Sequence, residues 1–155
     1  MIRRAISDDI PQINVLLNQV LYVHHVGRPD IFKEVGEKYT NEELEELIKN
    51  DNNPIFVYED EEGRILGHCF CQTIDRPERT STYKYKTLYI DDLCVHEDAR
   101  KQHIGKALYE YVCDFARKNG YYNITLHAWE RNTNAVEFYT HMGMKIQQYT
   151  LEEIL

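Results

Sequence analysis

The sequence predicts an α/β (α+β) fold in which a mixed sheet is flanked by helices. Segments of alternating or continuous apolar residues, typical of strands, are interleaved with segments whose apolar residues recur at helical spacing. Their order is strand, two helices, a meander of three strands, then helix, strand, helix, strand. At 155 residues the chain can bury a sizeable core, and we expect a single domain over residues 1–155.

The first part of the chain is expected to form one strand and two helices. Residues 2–6 have the pattern of a short strand, and residues 7–9 (Ser-Asp-Asp) supply side chains that can cap a helix. Pro11 lies in the first turn of that helix, where a proline is tolerated. Thr40 and Glu43 have the spacing of a capping box, which opens a second and shorter helix.

Three strands follow as a meander. We expect them at residues 55–59, 65–74 and 86–95. The Asp-Glu-Glu-Gly segment at 60–63 is typical of the turn of a hairpin, so the first two strands should pair directly. A loop at 76–82, rich in charged and hydroxyl residues, separates the second strand from the third.

The last part of the chain alternates helix and strand. Apolar residues within 104–119 recur at helical spacing, and Gly120 follows where a left-handed C-terminal cap is expected. A strand at 123–129, a helix at 132–142 and a final strand at 145–151 complete the prediction.

The composition limits the classes of partner. Hydrophobic residues make up 43% of the chain and charged residues 28%, which is ordinary for a globular protein. The formal net charge of −8 disfavours nucleic acid, because a nucleic-acid binder needs a basic surface. The N-terminus lacks an apolar run of signal-peptide length and no run is long enough to span a membrane, so we expect a cytoplasmic protein without a membrane partner.

The cysteines indicate a reducing compartment. Their scattered positions resemble neither a disulfide framework nor a zinc site, which would need two closely spaced pairs of ligands. We therefore expect buried free thiols in a reducing cytoplasm, and no bound metal. The four residues are Cys69, Cys71, Cys94 and Cys113.

The most informative segment joins the strand that ends at Val95 to the helix that follows. It carries Arg100, Lys101 and Lys106, together with Gly105, in a chain that is otherwise acidic. The free backbone N–H groups and positive dipole of a helix N-terminus attract anions. The junction therefore predicts a phosphate site, which we interpret as the site of a cofactor that bears a pyrophosphate.

Two motifs resemble those of the GNAT superfamily of acetyl-CoA-dependent N-acetyltransferases. Residues 100–107 (Arg-Lys-Gln-His-Ile-Gly-Lys-Ala) resemble its Arg/Gln-x-x-Gly-x-Gly/Ala pyrophosphate loop. Residues 132–139 (Asn-Thr-Asn-Ala-Val-Glu-Phe-Tyr), followed by Gly143 and Met144, resemble its Asn-x-x-Ala-x-x-Phe/Leu-Tyr segment. The fourth position of the loop is His103, where the family usually has glycine. If this position requires a positive φ, histidine is less favourable there than glycine.

The resemblance implies a mostly antiparallel sheet with helices on both faces, and strands before and after the cofactor helix that splay to form a cleft. It implies acetyl-CoA as cofactor and CoA as product. Main-chain groups of Leu93 and Val95 would bind the pantetheine arm, and the backbone N–H groups of residues 102–106 would face the pyrophosphate. Arg100 and Lys101 would add charge-assisted hydrogen bonds. The full set of cofactor-binding residues implied is Leu93, Cys94, Val95, Arg100, Lys101, Gln102, His103, Ile104, Gly105, Lys106, Ala107, Asn132, Ala135 and Phe138.

Three residues are candidates for acid–base catalysis. Tyr139 occupies the position of the family's usual proton donor to the departing thiolate, and a phenol of pKa roughly 10 suits a thiol of pKa roughly 8.5. Asp91 and Asp92 resemble the acidic pair in the Leu-Glu-Asp-Phe-x-Val strand of the diamine (polyamine) acetyltransferases, which helps to receive and deprotonate a cationic amine. Adjacent strand residues point to opposite faces, so we expect only one of the two to face a given cleft.

The sequence leaves the acceptor open. The leading hypothesis is direct transfer of an acetyl group to a primary amine, such as a polyamine or another small cationic amine. A protein N-terminus or lysine, an antibiotic-like amine and a non-catalytic acyl-CoA sensor are alternatives. Cys94 lacks an evident base, which favours direct transfer over an acetyl-cysteine intermediate. His24 and His25 lie where the family builds its acceptor wall. A homodimer is open, with the strand at 145–151 as a candidate edge.

Overall fold

The computed structural model describes residues 1–155 and contains one five-stranded sheet. Neighbouring strands in sequence are neighbours in the sheet, which is antiparallel except for its last pair, where β4 and β5 run parallel. The mixed, mostly antiparallel sheet expected from the sequence is confirmed. Its strands are β1 (Ile2–Arg4), β2 (Ile55–Glu59), β3 (Ile65–Arg76), β4 (Tyr85–Val95) and β5 (Asn123–Leu126).

Helices cover both faces of the sheet, as predicted. Strand β2 shows how the two faces separate, because its successive side chains point to opposite sides. Ile55 and Val57 join a core cluster with the first two helices, whereas Phe56 joins a second cluster with the third. No helix combines the length and the apolar character needed to cross a membrane. The helices are α1 (Ile10–Gly27), α2 (Asn41–Lys49), α3 (Ile104–Lys118) and α4 (Thr133–His141).

Two of the expected helix caps are confirmed, and the one expected at the start of α1 does not form. The N–H of Glu43 donates to the Thr40 hydroxyl at 3.2 Å and the Glu43 carboxylate accepts from the Thr40 N–H at 2.8 Å, which is the predicted capping box. Gly120 has a φ of +70° after α3. Asp9, expected as a cap of α1, instead accepts hydrogen bonds from Arg3 and from the Ile6 N–H.

The parallel pair of strands opens into a cleft. Strand β5 pairs with β4 only from Thr87 to Ile90 and ends at Leu126, three residues earlier than the sequence predicts. Strand β4 continues to Val95 without a neighbour on that side. The strands that flank α3 therefore splay, and this splay leaves one edge of β4 free beside the start of the helix.

The predicted final strand at 145–151 is wrong. After Gly143, which has a φ of +91°, the chain has no regular secondary structure and pairs with no strand. The apolar residues that suggested a strand, Ile146, Tyr149 and Leu151, lie exposed. A bidentate ion pair explains the course of the segment, because Glu152 accepts hydrogen bonds from Arg28 at 2.8 and 3.0 Å and so fastens the tail beside the end of α1.

Candidate active site

The loop before α3 presents a row of unused donors. None of the six backbone N–H groups from Lys101 to Lys106 donates a hydrogen bond within the protein, and the first helical bond of the segment is from Ala107 to His103. Lys101 and His103 have positive φ values of 65° and 60°, so two left-handed residues flank Gln102, which has no positive φ. Alternating conformations of this kind form a concave nest of N–H groups that suits an anion.

His103 adopts the left-handed conformation that the sequence analysis considered. It lies at the N-cap position of α3 with its side chain exposed, and it caps no backbone group. Its backbone N–H is one of the six free donors. The residue thus keeps the hydrogen-bonding capacity of a loop glycine at some conformational cost.

Basic side chains surround this nest. Arg100 is exposed and reaches back to the carbonyl of Val95, with 3.5 Å between Nε and O. Lys106 lies 3.8 Å from Glu110 across one helical turn, and both side chains are more than half exposed. Exposed pairs of this type contribute little stability, so these cations stay available to an incoming anion.

A glycine of β3 sets the position of α3. A Cβ on Gly67 of β3 would lie 2.9 Å from the carbonyl oxygen of Cys94 and 3.0 Å from Leu108, so the helix packs where only a glycine leaves room. Gly105 lies against Val95 and the ring of Phe138 at ordinary contact distances. Gly67 was missed by the sequence analysis, since a lone glycine in a strand shows only that something lies close, without saying what.

The free edge of β4 supplies main-chain groups to the cleft. The N–H of His96 bonds to Leu66 on β3, and the pairing alternates from there, so Cys94 also faces β3 whereas Leu93 and Val95 face away. Because β5 has ended, the N–H groups of Leu93 and Val95 point into the cleft. These are the two residues that the resemblance assigns to the pantetheine arm.

The Cys94 side chain lies away from the cleft that the N–H groups of Leu93 and Val95 face. Its side chain is buried in the cluster beneath α1, where the thiol donates to the carbonyl of Leu16 at 3.5 Å. Burial raises the pKa of the Cys94 thiol to about 12, so it stays protonated and is a poor nucleophile at neutral pH. This finding favours direct transfer.

Helix α4 carries the second motif against the loop. Asn132 caps the helix, accepting from the N–H of Ala135 at 3.3 Å, and Phe138 packs its ring against Gly105. Tyr139 is half-buried on the α3 face of the sheet, beside the ring of Tyr109 at 6.2 Å between centroids. Burial raises the pKa of Tyr139, and no hydrogen bond contributes to this shift. Its hydroxyl is therefore protonated at neutral pH.

Asp91 and Asp92 do not behave as alternate strand residues. The register between β3 and β4 shifts here, so that Phe70 pairs with Asp92 and Cys71 with Ile90, which leaves Asp91 as the extra residue of a bulge. Both carboxylates then reach one side of the strand. The expectation that only one would face a given cleft is wrong, and the bulge is the reason.

The ammonium of Lys38 lies between the two carboxylates. Its Nζ is 2.8 Å from Oδ2 of Asp91 and 3.6 Å from Oδ2 of Asp92. Asp91 is partly exposed, whereas Asp92 is buried beside the imidazole of His68, 3.7 Å away. Lys38 was missed by the sequence analysis because nothing local marks a lysine in a polar connector.

The ionisation states follow from this contact. Burial alone would raise the pKa of Asp92, but His68 and Lys38 outweigh it and hold that pKa below its ordinary value. Burial would lower the pKa of Lys38, but Asp92 and Asp91 raise it. At neutral pH the site therefore holds a charged ammonium against two carboxylates.

The end of α1 and the segment that follows it form one wall of this site. His24 stacks on Phe32 with 5.0 Å between ring centroids, and Phe32 meets the edge of Trp129 at 5.6 Å. Burial lowers the pKa of His24, so its imidazole is neutral at neutral pH. His25 bonds through Nδ1 to the Phe32 carbonyl at 2.8 Å, which fixes the fold of the wall.

Comparison with known proteins identifies the family. Residues 22–144 match the acetyltransferase (GNAT) family. The uncharacterized N-acetyltransferase YhdJ of Bacillus subtilis (strain 168) is 32% identical over 108 residues, which are 68% of this chain and 71% of YhdJ.

Solved structures agree in fold. A point mutant of the BH1408 protein of Bacillus halodurans is 27% identical with a TM-score of 0.96, covering 100% of this chain and 99% of that one. Glucosamine-6-phosphate N-acetyltransferase from Arabidopsis thaliana is 23% identical with a TM-score of 0.72, covering 99% of this chain and 97% of that one. This chain therefore belongs to the acetyltransferase (GNAT) family and is an N-acetyltransferase, as its two sequence motifs predict.

Proposed function

We propose that this protein transfers an acetyl group from acetyl-CoA directly to the primary amine of a small cationic acceptor. The observation that carries the proposal is the pair of carboxylates, Asp91 and Asp92 of β4, that converge on one ammonium. A groove that begins at Tyr39 adjoins this point, and its α2 lining has three carboxylates and one ammonium, from Glu42, Glu43, Glu46 and Lys49. A cationic acceptor would find opposite charge on both surfaces.

The junction loop fits the pyrophosphate of acetyl-CoA. Its six free N–H groups and the exposed Arg100 supply the donors that a pyrophosphate needs, and the free N–H groups of Leu93 and Val95 suit the amide-bearing pantetheine arm. When bound, acetyl-CoA supplies an acetyl group activated as a thioester. Asn132 supports this site by capping α4, and Phe138 supports it by packing that helix against Gly105.

The two aspartates serve better to bind an amine than to deprotonate it. An alkylamine has a pKa of roughly 10 and arrives protonated. A carboxylate whose pKa is held low, such as Asp92, is a weak base but a strong partner for an ammonium. We therefore assign Asp91 and Asp92 to orienting the acceptor, with its proton lost to water at the exposed side of Asp91.

Tyr139 holds the proton that a departing thiolate takes. Burial keeps its hydroxyl protonated at neutral pH and, by raising its pKa, makes it a weaker acid than a free tyrosine. Its role as donor therefore rests on its position in the motif and on transfer to a strongly basic thiolate as the C–S bond breaks. The N–H groups on the free edge of β4 near Val95 are the candidate donors to the developing oxyanion. These roles need neither a metal nor a covalent enzyme intermediate, in keeping with the buried Cys94 thiol.

The test is release of CoA thiol from acetyl-CoA with spermidine, free amino acids or short peptides as acceptor. We expect release to depend on spermidine and to be near background with amino acids. Release that depends only on a peptide would replace the small amine by a protein N-terminus or lysine. Tight binding of acetyl-CoA without release in any arm would favour the non-catalytic sensor.

Three broader assignments belong to the same proposal. We treat residues 1–155 as one acetyltransferase domain, which the single sheet with its two core clusters supports. Three buried thiols suit a reducing compartment such as the cytoplasm. A homodimer no longer has a C-terminal strand as its edge, but the exposed apolar tail at 145–155 supports one, and sedimentation equilibrium would test it.

A further inference from the structure

Lys38 brings to the acidic pair the same chemical group that an amine acceptor would bring. It belongs to the connector between α1 and α2 and stands 53 residues before Asp91 in sequence. Its side chain is a primary ammonium on an unbranched four-carbon stem, and it lies 5.4 Å from the centre of the Tyr39 ring. The Tyr39 hydroxyl in turn donates to Asp91 at 3.2 Å. An acidic floor and an aromatic wall therefore enclose an alkylammonium.

Lys38 fills only part of the hydrogen-bonding capacity of the two carboxylates. It donates a hydrogen bond to Asp91, but its 3.6 Å separation from Asp92 is too long for a second one. Oδ2 of Asp92 is consequently buried without a hydrogen-bond partner, and both ring nitrogens of the fully buried His68 beside it are also unpartnered. A buried carboxylate oxygen without a donor is costly, so the site has an unfilled capacity for one more N–H.

The tether explains why that capacity is unfilled. Lys38 is fixed to the connector, and the adjacent Tyr39 ring is stacked parallel to Phe70 at 5.9 Å, which restrains the backbone from moving further in. A free alkylammonium carries three N–H donors and has no such restraint. It could donate to Asp91 and Asp92 together.

We propose that Lys38 is a tethered occupant of the acceptor subsite, and that a primary alkylammonium with an unbranched stem displaces it from Asp91 and Asp92 on binding. The inference rests on the proposed function and deepens it by naming the acceptor class and the group it must displace. Lys38 competes with the acceptor without being consumed, because its raised pKa keeps it protonated and a protonated amine is not a nucleophile.

The contrasting interpretation is a fixed structural ion pair. Lys38 would then fasten the connector permanently, and an acceptor would bind elsewhere. The two interpretations predict opposite changes in the affinity for an alkylammonium when Lys38 is removed. Removing a competitor strengthens the binding of an alkylammonium, whereas removing a structural clamp loosens the wall and weakens it.

The first experiment compares Lys38→Met with the parent, using n-butylammonium as probe and calorimetry as readout, with and without CoA. Methionine keeps an unbranched apolar stem and removes the charge. If Lys38 fills the subsite about nine-tenths of the time, its removal tightens binding about tenfold. Lys33→Met is the matched control, since Lys33 lies in the same connector, is exposed and forms no ion pair. Binding to Lys38→Met that is equal to the parent's, weaker or absent overturns the proposal.

A second experiment uses the unaltered protein and so does not depend on the stability of a variant. Lysine side-chain NMR signals report whether each ammonium is paired or free. We expect n-butylammonium to move the Lys38 signal toward that of an unpaired lysine while the Lys33 signal stays in place. A Lys38 signal that is unchanged when calorimetry shows the site to be saturated would establish the structural ion pair instead.

These readouts separate the inference from the function on which it rests. Amine binding and displacement of Lys38 are measured without acetyl transfer. Displacement without any release of CoA thiol would keep the subsite and remove the proposed reaction. Spermidine-dependent release with an undisturbed Lys38 would do the reverse.

Discussion

Gly67 on β3 faces the carbonyl oxygen of Cys94 on β4 so closely that a methyl group on Gly67 would lie 2.9 Å from it. The same methyl would lie 3.3 Å from Ile104, the first residue of α3. Helix α3, which begins at the junction loop, thus lies directly on the backbone of the sheet. The position of this loop relative to the free edge of β4 therefore depends on residue 67 having no side chain.

Gly67→Ala should therefore destabilise the protein and displace the loop. Neither backbone nor helix can yield cheaply, so we expect a loss of about 1–3 kcal/mol in the free energy of unfolding, measured by urea denaturation, and weaker binding of CoA. Gly105→Ala is the matched control. Its new methyl would meet Val95 at 3.5 Å and Phe138 at 3.6 Å, which are ordinary contacts, so stability should change by less than about 1 kcal/mol. Equal losses in the two variants would contradict this packing argument.

Tyr139→Phe should separate catalysis from cofactor binding. No hydrogen bond contributes to the environment of the hydroxyl that it removes, so stability and CoA affinity should stay near those of the parent. Loss of a positioned proton donor should lower acceptor-dependent thiol release about 100-fold or more. The neighbouring Tyr109→Phe removes a hydroxyl from the same helical interface and serves as control for packing. A rate for Tyr139→Phe that matches the parent's would remove this residue from the mechanism.

Several helix boundaries and the cofactor loop could be predicted because their signals are local. The capping box of Thr40, the apolar period of α3 and Gly120 each act within a few residues of where they stand in sequence. The match of the two motifs rests on similarly short segments.

The acceptor side could be predicted only in part because it depends on long-range contacts. The bulge at Asp91 arises from the pairing of β4 with β3, and Lys38 reaches it from a connector with no regular structure. Gly67 has meaning only once α3 has packed. The segment 145–151 has a strand pattern, but a pattern predicts a strand only where an edge receives it, and the Arg28–Glu152 pair holds this one elsewhere.

His103 offers a test of the loop's conformation. With a φ of +60° it occupies a region that costs an ordinary L-residue about 1–2 kcal/mol, and β-branched residues more. We expect His103→Gly to be as stable as the parent or more so, by up to about 1 kcal/mol, with CoA affinity kept because the backbone N–H remains. His103→Val should lower both the free energy of unfolding and the affinity for CoA.

Two quantities must be measured for each His103 variant: the free energy of unfolding by urea denaturation, and the affinity for CoA by calorimetric titration. If His103→Gly binds CoA much more weakly at unchanged stability, the imidazole itself contacts the phosphate. That result would reassign the role of the residue from conformation to side chain.

Asp92 should make stability depend on pH in a defined direction. Because its folded pKa is held below the unfolded value of about 3.9, the carboxylate stabilises the folded state above that pH and loses this contribution as the pH falls through the folded pKa. Asp92→Asn leaves Lys38 and His68 without their buried anion and should cost about 1–3 kcal/mol at pH 7. Urea denaturation at a series of pH values should show this difference shrinking once the pH is well below 4. Asp8→Asn is the control, because Asp8 is exposed and forms no ion pair, and its stability should match that of the parent across the series. If the penalty for Asp92→Asn stayed constant into acid, Asp92 would contribute through its shape rather than its charge.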